Sequence, residues 1–266
     1  MERLLPLIER TLDEVLPRPE ARPSVLHEAM RYAVGTGGKR IRPVICLAAA
    51  EAAGGRREDA VYPACAIELL HNYTLIHDDL PAMDNDVLRR GQPTVWKKFG
   101  EANAILAGDA LLALAFEVAA KAPRNVAAIV SVLGEKGVGV VRGQVEDMRR
   151  EDFTSHASRL MSSSSDQPFV YLHKTADLFV AAAVMGALAA GGTARDIKAL
   201  GDFACNLGLA FQYEDDLLDG DGLYSRAETE ARVRETTAAA IAALKDLSGD
   251  TTFLKSLAER LTQRKN

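Results

Sequence analysis

Two clusters of aspartates are the residues most able to do chemistry. The first places four carboxylates within nine residues, at Asp78, Asp79, Asp84 and Asp86. The second holds Asp215, Asp216 and Asp219. Each cluster follows a strongly apolar segment, and carboxylates are the ligands that Mg²⁺ uses together with substrate phosphates. The two clusters therefore suggest a metal site that handles phosphate groups.

The spacing within each cluster sets how the chain must fold there. Asp78 and Asp84 are six residues apart, which separates them by about 120° on a regular helix. They can share a metal only if the chain leaves the helix between them, and Pro81 is placed to cause that departure. Asp215 and Asp219 share one helix face. A solvated acidic turn is the alternative for either cluster alone, but two such clusters favour facing walls of one cavity.

A basic segment with flexible glycines covers residues 37–43, and its cations are Lys39, Arg40 and Arg42. We expect it to be a loop that opens a helix over residues 44–53. Cations at a helix N-terminus suit a diphosphate, although the spacing is not that of a Walker A loop. A solvated basic turn is the alternative.

Further polar side chains lie near the acidic clusters in sequence. Arg89 and Arg90 follow the first cluster, and His71 lies two turns before it on nearly the same helix face. Lys174 and Thr175 stand at the start of a long apolar helix, where they could hold a phosphate. Surface arginines that balance the aspartates, and a structural histidine, are the alternatives.

Helices must position these residues, because apolar side chains recur at helical spacing nearly throughout the chain. Glycine, proline and serine breaks divide it into roughly ten helices. Residues 177–190 are apolar almost all round, which is typical of a central buried helix. We therefore predict an all-α fold, a bundle of about ten or more helices in a single domain over residues 1–266.

The composition limits the classes of function. The 266 residues are 48% hydrophobic and 26% charged, as in ordinary globular proteins, and the net charge of −5 argues against a nucleic-acid partner. Cys46, Cys65 and Cys205 lack metal-like spacing, so we expect buried thiols in a reducing compartment. The N-terminus does not resemble a signal peptide, and no uninterrupted apolar run is long enough for a membrane span. We expect a cytoplasmic protein.

Five motifs, in order along the chain, resemble those of the bacterial short-chain trans-prenyl diphosphate synthases, especially farnesyl diphosphate synthase. They are residues 37–43, residues 77–91, Gly143-Gln144 with Asp147, Lys174-Thr175, and residues 211–219. The second motif, which ends in Arg-Arg-Gly, is the most specific, and residues 147–168 match only weakly. The resemblance implies an all-α isoprenoid-synthase fold around a deep central cavity, usually as a homodimer.

The resemblance also implies roles for individual residues. Mg²⁺, as three ions with substrate bound, would be held by Asp78, Asp79, Asp84, Asp215, Asp216 and Asp219. The allylic diphosphate would be held by Arg89, Lys174, Thr175 and Gln212. Isopentenyl diphosphate would be held by Lys39, Arg42, His71 and Arg90. The residues expected to carry catalysis are Asp78, Asp79, Asp84, Arg89, Lys174 and Asp215.

The implied reaction condenses isopentenyl diphosphate with dimethylallyl or geranyl diphosphate. Pyrophosphate leaves readily only when its charge is neutralised, and the resulting carbocation needs a cavity that excludes water. Tyr73 and Thr74 lie five and four residues before Asp78 and would project toward the growing tail. The bulky Tyr73 favours a farnesyl product, with geranyl or geranylgeranyl as alternatives, unless Tyr73 merely packs between helices.

One junction departs from the family's pattern. After Asp219 the family has a longer loop with glycine and lysine, and this lysine binds the allylic diphosphate. Here residues 220–224 lead almost directly into the next helix. Either the loop is deleted, or it is disordered and missing from the recorded residues, which is the explanation we favour. A true deletion would put catalytic competence in doubt.

Two other functions fit fewer of the residues. A class I terpene cyclase also uses an aspartate-rich motif with Mg²⁺. Its second metal motif mixes Asn, Ser and Glu, however, and it needs no basic site for isopentenyl diphosphate. A non-catalytic subunit of a heteromeric synthase generally lacks an acidic motif, whereas both motifs are present here. Only the short junction after Asp219 supports that alternative.

Overall fold

Helices form nearly all of the computed structural model, which describes residues 3–155, 166–220 and 224–261. The α-helices are α1 (Leu5–Val15), α2 (Ser24–Gly35), α3 (Ile41–Ala52), α4 (Val61–Asp78), α5 (Val95–Phe99), α6 (Glu101–Ala119), α7 (Val126–Ser155), α8 (Asp166–Val170), α9 (Asp177–Ala190), α10 (Ala194–Asp219), α11 (Arg226–Ala243) and α12 (Thr252–Leu261). A 3₁₀-helix (Arg57–Ala60) precedes α4, and a π-helix (Tyr171–Ala176) joins α8 to α9. Within these ranges the strands are an antiparallel pair, β1 (Leu88–Arg89) and β2 (Gln92–Pro93). The predicted all-α fold is confirmed.

Helix α9 lies at the centre of the bundle, as its all-round apolar sequence predicted. It packs against α3, α4, α7 and α10, and nearly all of its residues are buried. Small side chains allow these helices to approach closely. At Gly186 of α9, an added Cβ would overlap the backbone carbonyl oxygen of Cys46 on α3. The close packing of α9 against α3 therefore depends on a residue without a side chain.

The buried apolar side chains form two clusters. The main core takes members from α1 to α12, beginning at Leu4 and ending at Leu261. A smaller cluster ties the π-helix to α8, α10 and α11, and its buried members are Val170, Tyr171, Tyr213 and Val233. The smaller cluster packs around the C-terminal half of α10, which carries the second group of aspartates.

Two local boundaries differ from the sequence expectation. Helix α3 begins at Ile41 rather than at residue 44, directly after Arg40, which takes a left-handed φ of 47°. Pro43 is tolerated in the first turn because the amide groups there have no partner within the helix. Lys174 and Thr175 lie in the π-helix rather than in the first turn of the apolar helix.

The three cysteines are free thiols. Cys46 and Cys65 are buried as predicted, and burial raises the pKa of both thiols. Cys205 is only partly buried, so the prediction of a buried thiol is wrong at this position. Cys205 stands on α10, where its side of the helix is only partly covered.

Two helical segments, Glu101–Ala119 and Pro168–Ala190, are long and apolar enough to cross a membrane by length and composition alone. The second is 67% buried inside the protein and the first is 39% buried. Because the core helix of a globular protein passes the same test, these segments are weak evidence for a span. The expected absence of a membrane span stays a prediction.

Replacing Gly186 with alanine should destabilise the protein by about 1–3 kcal/mol, because the new methyl group overlaps the Cys46 carbonyl in a packed helix interface. Urea unfolding followed by circular dichroism measures the effect. Gly201→Ala on α10 is the matched control, since its Cβ would meet only a methyl of Val184 at 3.4 Å. Alanine favours the helix, so this variant should be neutral or more stable by up to about 1 kcal/mol. Equal stabilities for the two variants would contradict the packing argument.

Candidate active site

The first acidic wall forms where α4 ends and consists of Asp78, Asp79 and Asp84. The helix stops at Asp78, and the chain then turns back through Pro81. The backbone amide of Asp84 donates to the carbonyl oxygen of Asp78 at 2.9 Å. Asn85 closes the turn with a φ of 54°. The turn returns Asp84 to the end of the helix, which confirms the predicted departure from helix between the two aspartates.

Burial makes this wall costly to ionise. It raises the pKa of Asp78 to about 6, although the positive charge of Lys174 opposes the shift. Burial also raises the pKa of Asp79, against its bond to Arg89, and that of Asp84. A nearby cation stabilises the ionised form of buried carboxylates, so this wall is suited to bind a cation.

The hairpin after the first wall carries two arginines with different partners. Arg89 Nε donates to Asp79 Oδ1 at 2.7 Å, and Asp79 is only 3% exposed. Arg90 has a φ of 53°, and its Nη1 donates to the backbone carbonyl of Gly37. One arginine therefore faces the acidic wall, and the next faces the glycine loop before α3.

A basic pocket of about 460 Å³ lies beside the loop at residues 37–40. Its lining includes all four residues that the resemblance assigns to isopentenyl diphosphate, namely Lys39, Arg42, His71 and Arg90. These residues come from α3, α4, the hairpin and the loop, so only the tertiary fold brings them together.

Arg42 is the buried cation of this pocket. Its guanidinium carbon lies 5.1 Å from the ring centre of Phe179, and its Nη1 lies 3.2 Å from His71 Nε2. Burial lowers the pKa of Arg42 to about 10 and, with the charge of Arg42, lowers the pKa of His71 well below its usual value. Arg42 Nε is buried and has no hydrogen-bond partner among the described residues. Buried donors are normally paired, so this one suits an incoming anion.

Arg40, which the sequence analysis counted among the cations of the basic segment, instead supports the loop that carries Lys39. Its side chain is buried, and its Nε and Nη1 donate to Glu9 at 2.7 Å and to Glu68 at 2.8 Å. Its Nη2 donates to the carbonyl oxygen of Val34. No local pattern signals this network, because the two glutamates are far from Arg40 in sequence.

The π-helix that carries Lys174 and Thr175 is held between α7 and α10. An added Cβ on Gly143 of α7 would overlap the backbone nitrogen of Lys174. One on Gly208 of α10 would overlap Ala176. Both neighbouring helices therefore approach the π-helix at backbone distance. A π turn inside a helical segment is frequently a feature of functional sites.

Lys174 connects the π-helix electrostatically to the first wall. Its Nζ donates to Asp147 on α7 at 2.5 Å. Burial lowers the pKa of Lys174, but the bond to Asp147 and the charges of Asp78 and Asp84 outweigh burial, so the pKa is raised. Asp147 belongs to a motif that the sequence analysis noted without giving it a role.

The second acidic wall lies in the last turns of α10 and consists of Asp215, Asp216 and Asp219. Asp216 is 8% exposed, and its Oδ1 accepts from Gln212 Nε2 at 3.2 Å. Gln212 Oε1 in turn accepts from the Thr175 hydroxyl at 2.7 Å. The hydroxyl of Tyr171 donates to Asp216 Oδ2, a contact that no sequence pattern indicated. Asp215 is partly buried, whereas Asp219 is exposed at the helix end.

Electrostatic interactions link the first wall to the π-helix and the second wall to the basic pocket. Asp78 and Asp84 act electrostatically on Lys174, and Asp215 acts on Arg42. In the described part of the chain, no three His, Cys, Asp or Glu side chains converge closely enough to hold a metal ion by themselves. A metal at this site therefore needs further oxygen ligands, and phosphate groups are suitable ones.

Tyr73 and Thr74 lie on α4, one turn before the first wall. The ring of Tyr73 is partly buried and packs edge-on against His77, with 4.8 Å between ring centres. The Thr74 hydroxyl donates to the carbonyl oxygen of His71 at 2.8 Å. The predicted influence of Tyr73 and Thr74 on product length stays a prediction.

The junction after the second wall is short in the protein itself. Helix α10 ends at Asp219, Gly220 follows in the left-handed region, and Ser225 caps α11. The full sequence crosses from Asp219 to Ser225 through five residues, three of which (221–223) lie outside the described ranges. The explanation that we favoured, a longer loop missing from the recorded residues, is therefore wrong. The additional lysine implied by the resemblance is absent from this junction.

Comparison with known proteins agrees with this arrangement. The curated relatives include geranylgeranyl pyrophosphate synthase 4 of Arabidopsis thaliana, 46% identical over 219 residues that cover 80% of this chain. They also include a geranylgeranyl diphosphate synthase of Cyanophora paradoxa, 44% identical over 220 residues, or 80% of this chain and 71% of that protein. The match spans only 57% of the length of the Arabidopsis relative.

The solved structures include an FPP/GFPP synthase from Zymomonas mobilis. It superimposes with a TM-score of 0.89 at 34% identity, over 98% of this chain and 96% of that one. The family model for polyprenyl synthetases matches residues 23–265, which include both acidic walls, the basic pocket and the π-helix. The chain therefore belongs to the polyprenyl synthetase family.

Proposed function

We propose that the protein is a trans-prenyltransferase that condenses isopentenyl diphosphate with an allylic diphosphate with the help of Mg²⁺. One observation carries this proposal. Two acidic walls flank a π-helix that bears Lys174, and close to them lies a basic pocket whose buried Arg42 has a donor without a partner among the described residues. A reaction that uses two diphosphates, one that leaves and one that stays, needs two such anion sites.

Mg²⁺ fits the residues of the two walls. Every predicted ligand there is a carboxylate, the kind of hard oxygen donor that Mg²⁺ prefers. Burial raises the pKa of Asp78, and the nearby cations do not fully offset this effect. A bound cation would therefore stabilise the ionised form of Asp78. We propose that the ions are held jointly with substrate phosphates by Asp78, Asp79, Asp84, Asp215, Asp216 and Asp219.

The protein's own groups account for the remaining steps. Bound Mg²⁺ supplies positive charge that neutralises the leaving pyrophosphate. Arg89 and Lys174, now paired with Asp79 and Asp147, can turn their donors to the allylic diphosphate. Thr175 and Gln212 supply hydrogen bonds next to them. The double bond of isopentenyl diphosphate is the nucleophile that attacks the allylic carbon, so no side-chain nucleophile is needed. The pyrophosphate that departs is the base that accepts the proton, so no side-chain base is needed either.

The basic pocket holds the diphosphate that stays. Arg42 supplies a buried charge with an unused donor, and Lys39 and Arg90 supply further charge at the pocket. His71 remains neutral near pH 7, because burial and the charge of Arg42 lower its pKa. It can therefore act as a hydrogen-bonding group without adding repulsion. The pocket orients the double bond of isopentenyl diphosphate toward the allylic carbon.

For the product, the names of the relatives favour geranylgeranyl diphosphate over the farnesyl diphosphate that the sequence analysis preferred. Farnesyl diphosphate is the second candidate, since the bulky Tyr73 lies one turn before the first wall. The synthase from Zymomonas mobilis with the same fold is named for FPP, which is farnesyl diphosphate, and for GFPP. The fold is therefore compatible with more than one product length.

We also propose that the protein forms a homodimer through an apolar patch on α6 and α7. The exposed members of this patch are Ile105, Leu106, Val138, Val141 and Val145, each between 43% and 57% exposed. On α7 they recur at positions that share one helix face. Gly134 of α7 packs against Phe116 of α6, so the two helices are adjacent. Exposed apolar side chains on two adjacent helices are suited to an isologous contact, in which each copy presents the same patch to the other.

Asp78→Asn and Asp215→Asn should each lower turnover of isopentenyl and allylic diphosphates by about 100-fold or more, because each removes charge that holds the leaving group's metal. Product formation by the purified single chain measures this. Asp202→Asn on the exposed face of α10 is the control and should retain full activity. An inactive wild-type chain would favour a non-catalytic subunit, for which the short junction after Asp219 is the supporting feature.

The same Asp78→Asn variant should be more stable than the wild type without ligands. The pKa of Asp78 is raised from 3.8 to about 6 in the folded state, so ionisation favours unfolding as the pH rises through this range. Removing the charge should add about 1–3 kcal/mol of stability above pH ~6, and the gain should fade below pH ~4. Urea unfolding at both pH values measures it. A gain that is equally large in acid would contradict the assigned cause.

Tyr73→Ala should lengthen the main product by at least one isoprene unit, because it removes the largest side chain one turn before the reacting end of the cavity. Chromatography of the dephosphorylated products measures this. Phe99→Ala, which removes a partly buried aromatic ring from α5, is the control and should leave the product unchanged. An unaltered chain length in the Tyr73 variant would show that Tyr73 only packs between helices.

Val141→Glu should convert a particle of twice the 28.7 kDa chain mass into one of the chain mass, because it buries a charge in the proposed contact. Light scattering after size exclusion measures the mass. Val25→Glu, at an exposed position on α2 away from the patch, should leave the dimer intact. A wild-type monomer, or an equally dimeric Val141 variant, would overturn the proposed interface.

A further inference from the structure

The π-helix contacts the second wall at both of its ends. Near its C-terminal end, Thr175 donates to Gln212, which donates to Asp216 Oδ1. At its first residue, the hydroxyl of Tyr171 donates directly to Asp216 Oδ2. Asp216 is therefore the point at which two hydrogen-bonded paths from one short segment converge.

The position of Tyr171 is itself fixed by packing. The side chain is 5% exposed, and its ring meets Tyr213 of α10 edge-on, with 5.4 Å between ring centres. Val170 and Val233 complete the small cluster around it. A buried tyrosine hydroxyl needs a partner, and packing alone would be satisfied by phenylalanine. What the hydroxyl adds is a donor aimed at one oxygen of a carboxylate in the second wall.

The same π-helix also serves the first wall. Lys174, two residues before its end, is bound to Asp147 and lies within electrostatic reach of Asp78 and Asp84. Close backbone contacts with Gly143 and Gly208 leave the π-helix little room to shift. Any group that fixes Asp216 to this segment also fixes the second wall relative to Lys174.

We propose that Tyr171 is a positioning residue for the second wall, whose hydroxyl orients the Asp216 carboxylate for metal uptake. The inference rests on the proposed function, since it concerns the ligands of Mg²⁺. Each carboxylate oxygen has two lone pairs, so Asp216 can accept the tyrosine bond and still bind a metal. Groups that orient a metal ligand in this way typically change metal affinity by about 10- to 100-fold when they are removed.

Tyr171→Phe tests the proposal, because it deletes the hydroxyl and keeps the ring. The readout is the Mg²⁺ concentration that gives half-maximal thermal stabilisation in the presence of saturating inorganic pyrophosphate. We expect it to rise about tenfold, while the melting temperature without metal changes little. Excess Mg²⁺ should restore kcat, because the variant retains every ligand. Tyr213→Phe is the matched control, since it removes a hydroxyl from the ring that packs against Tyr171 and leaves the bond from Tyr171 to Asp216 in place. Its metal dependence should be that of the wild type.

The Asp78→Asn variant distinguishes the positioning role of Tyr171 from the proposed Mg²⁺ site itself. If it abolishes the Mg²⁺ response while Tyr171→Phe responds within twofold of the wild type, the positioning role is overturned and the metal site stands. If Tyr213→Phe weakens the response as much as Tyr171→Phe, the effect belongs to the packing of the cluster, and the role is again overturned. If the wild type shows no Mg²⁺ response at all, both the role and the proposed metal site are overturned.

Discussion

Carboxylates crowded into a partly buried space are the constraint on which the rest of the structure depends. Burial, helped by the charges of neighbouring carboxylates, raises the pKa of Asp78, Asp79 and Asp84, so their ionised forms are less stable in the folded protein than in water. Such an arrangement is stable only if cations are nearby. Arg89 and Lys174 are those cations in the ligand-free protein, and each is already bound to a carboxylate. The cations that face the buried carboxylates are therefore themselves held in place by ion pairs.

The fold holds the charged groups in place through helices that pack against each other at backbone distance. A π-helix can carry Lys174 and Thr175 between α7 and α10 only because Gly143 and Gly208 have no side chains. At the centre of the bundle, Gly186 similarly lets α9 lie against α3. Since each of these contacts involves backbone atoms, the neighbours cannot move aside as a flexible side chain would. Rigid placement of the charged groups follows from these small residues.

In the basic pocket, several cations lie close together and would repel one another without compensation. Arg42 stacks on Phe179 and lies beside a histidine that burial keeps neutral. Arg40, by contrast, is neutralised by Glu9 and Glu68 and stabilises the loop without adding free charge. Neighbouring arginines in one motif therefore have opposite roles, which their partners decide.

The sequence by itself determined the all-helical fold, the central helix α9 and the turn at Pro81, because apolar periodicity and proline act locally. It also indicated the family, through motifs whose residues are close together in the chain. Only the tertiary structure decided that Lys174 and Thr175 lie in a π-helix, that Arg40 is paired with two distant glutamates, and that Tyr171 binds Asp216. The last two features join residues that are far apart in sequence, and the π-helix is held by close packing against α7 and α10, so no local spacing encodes them.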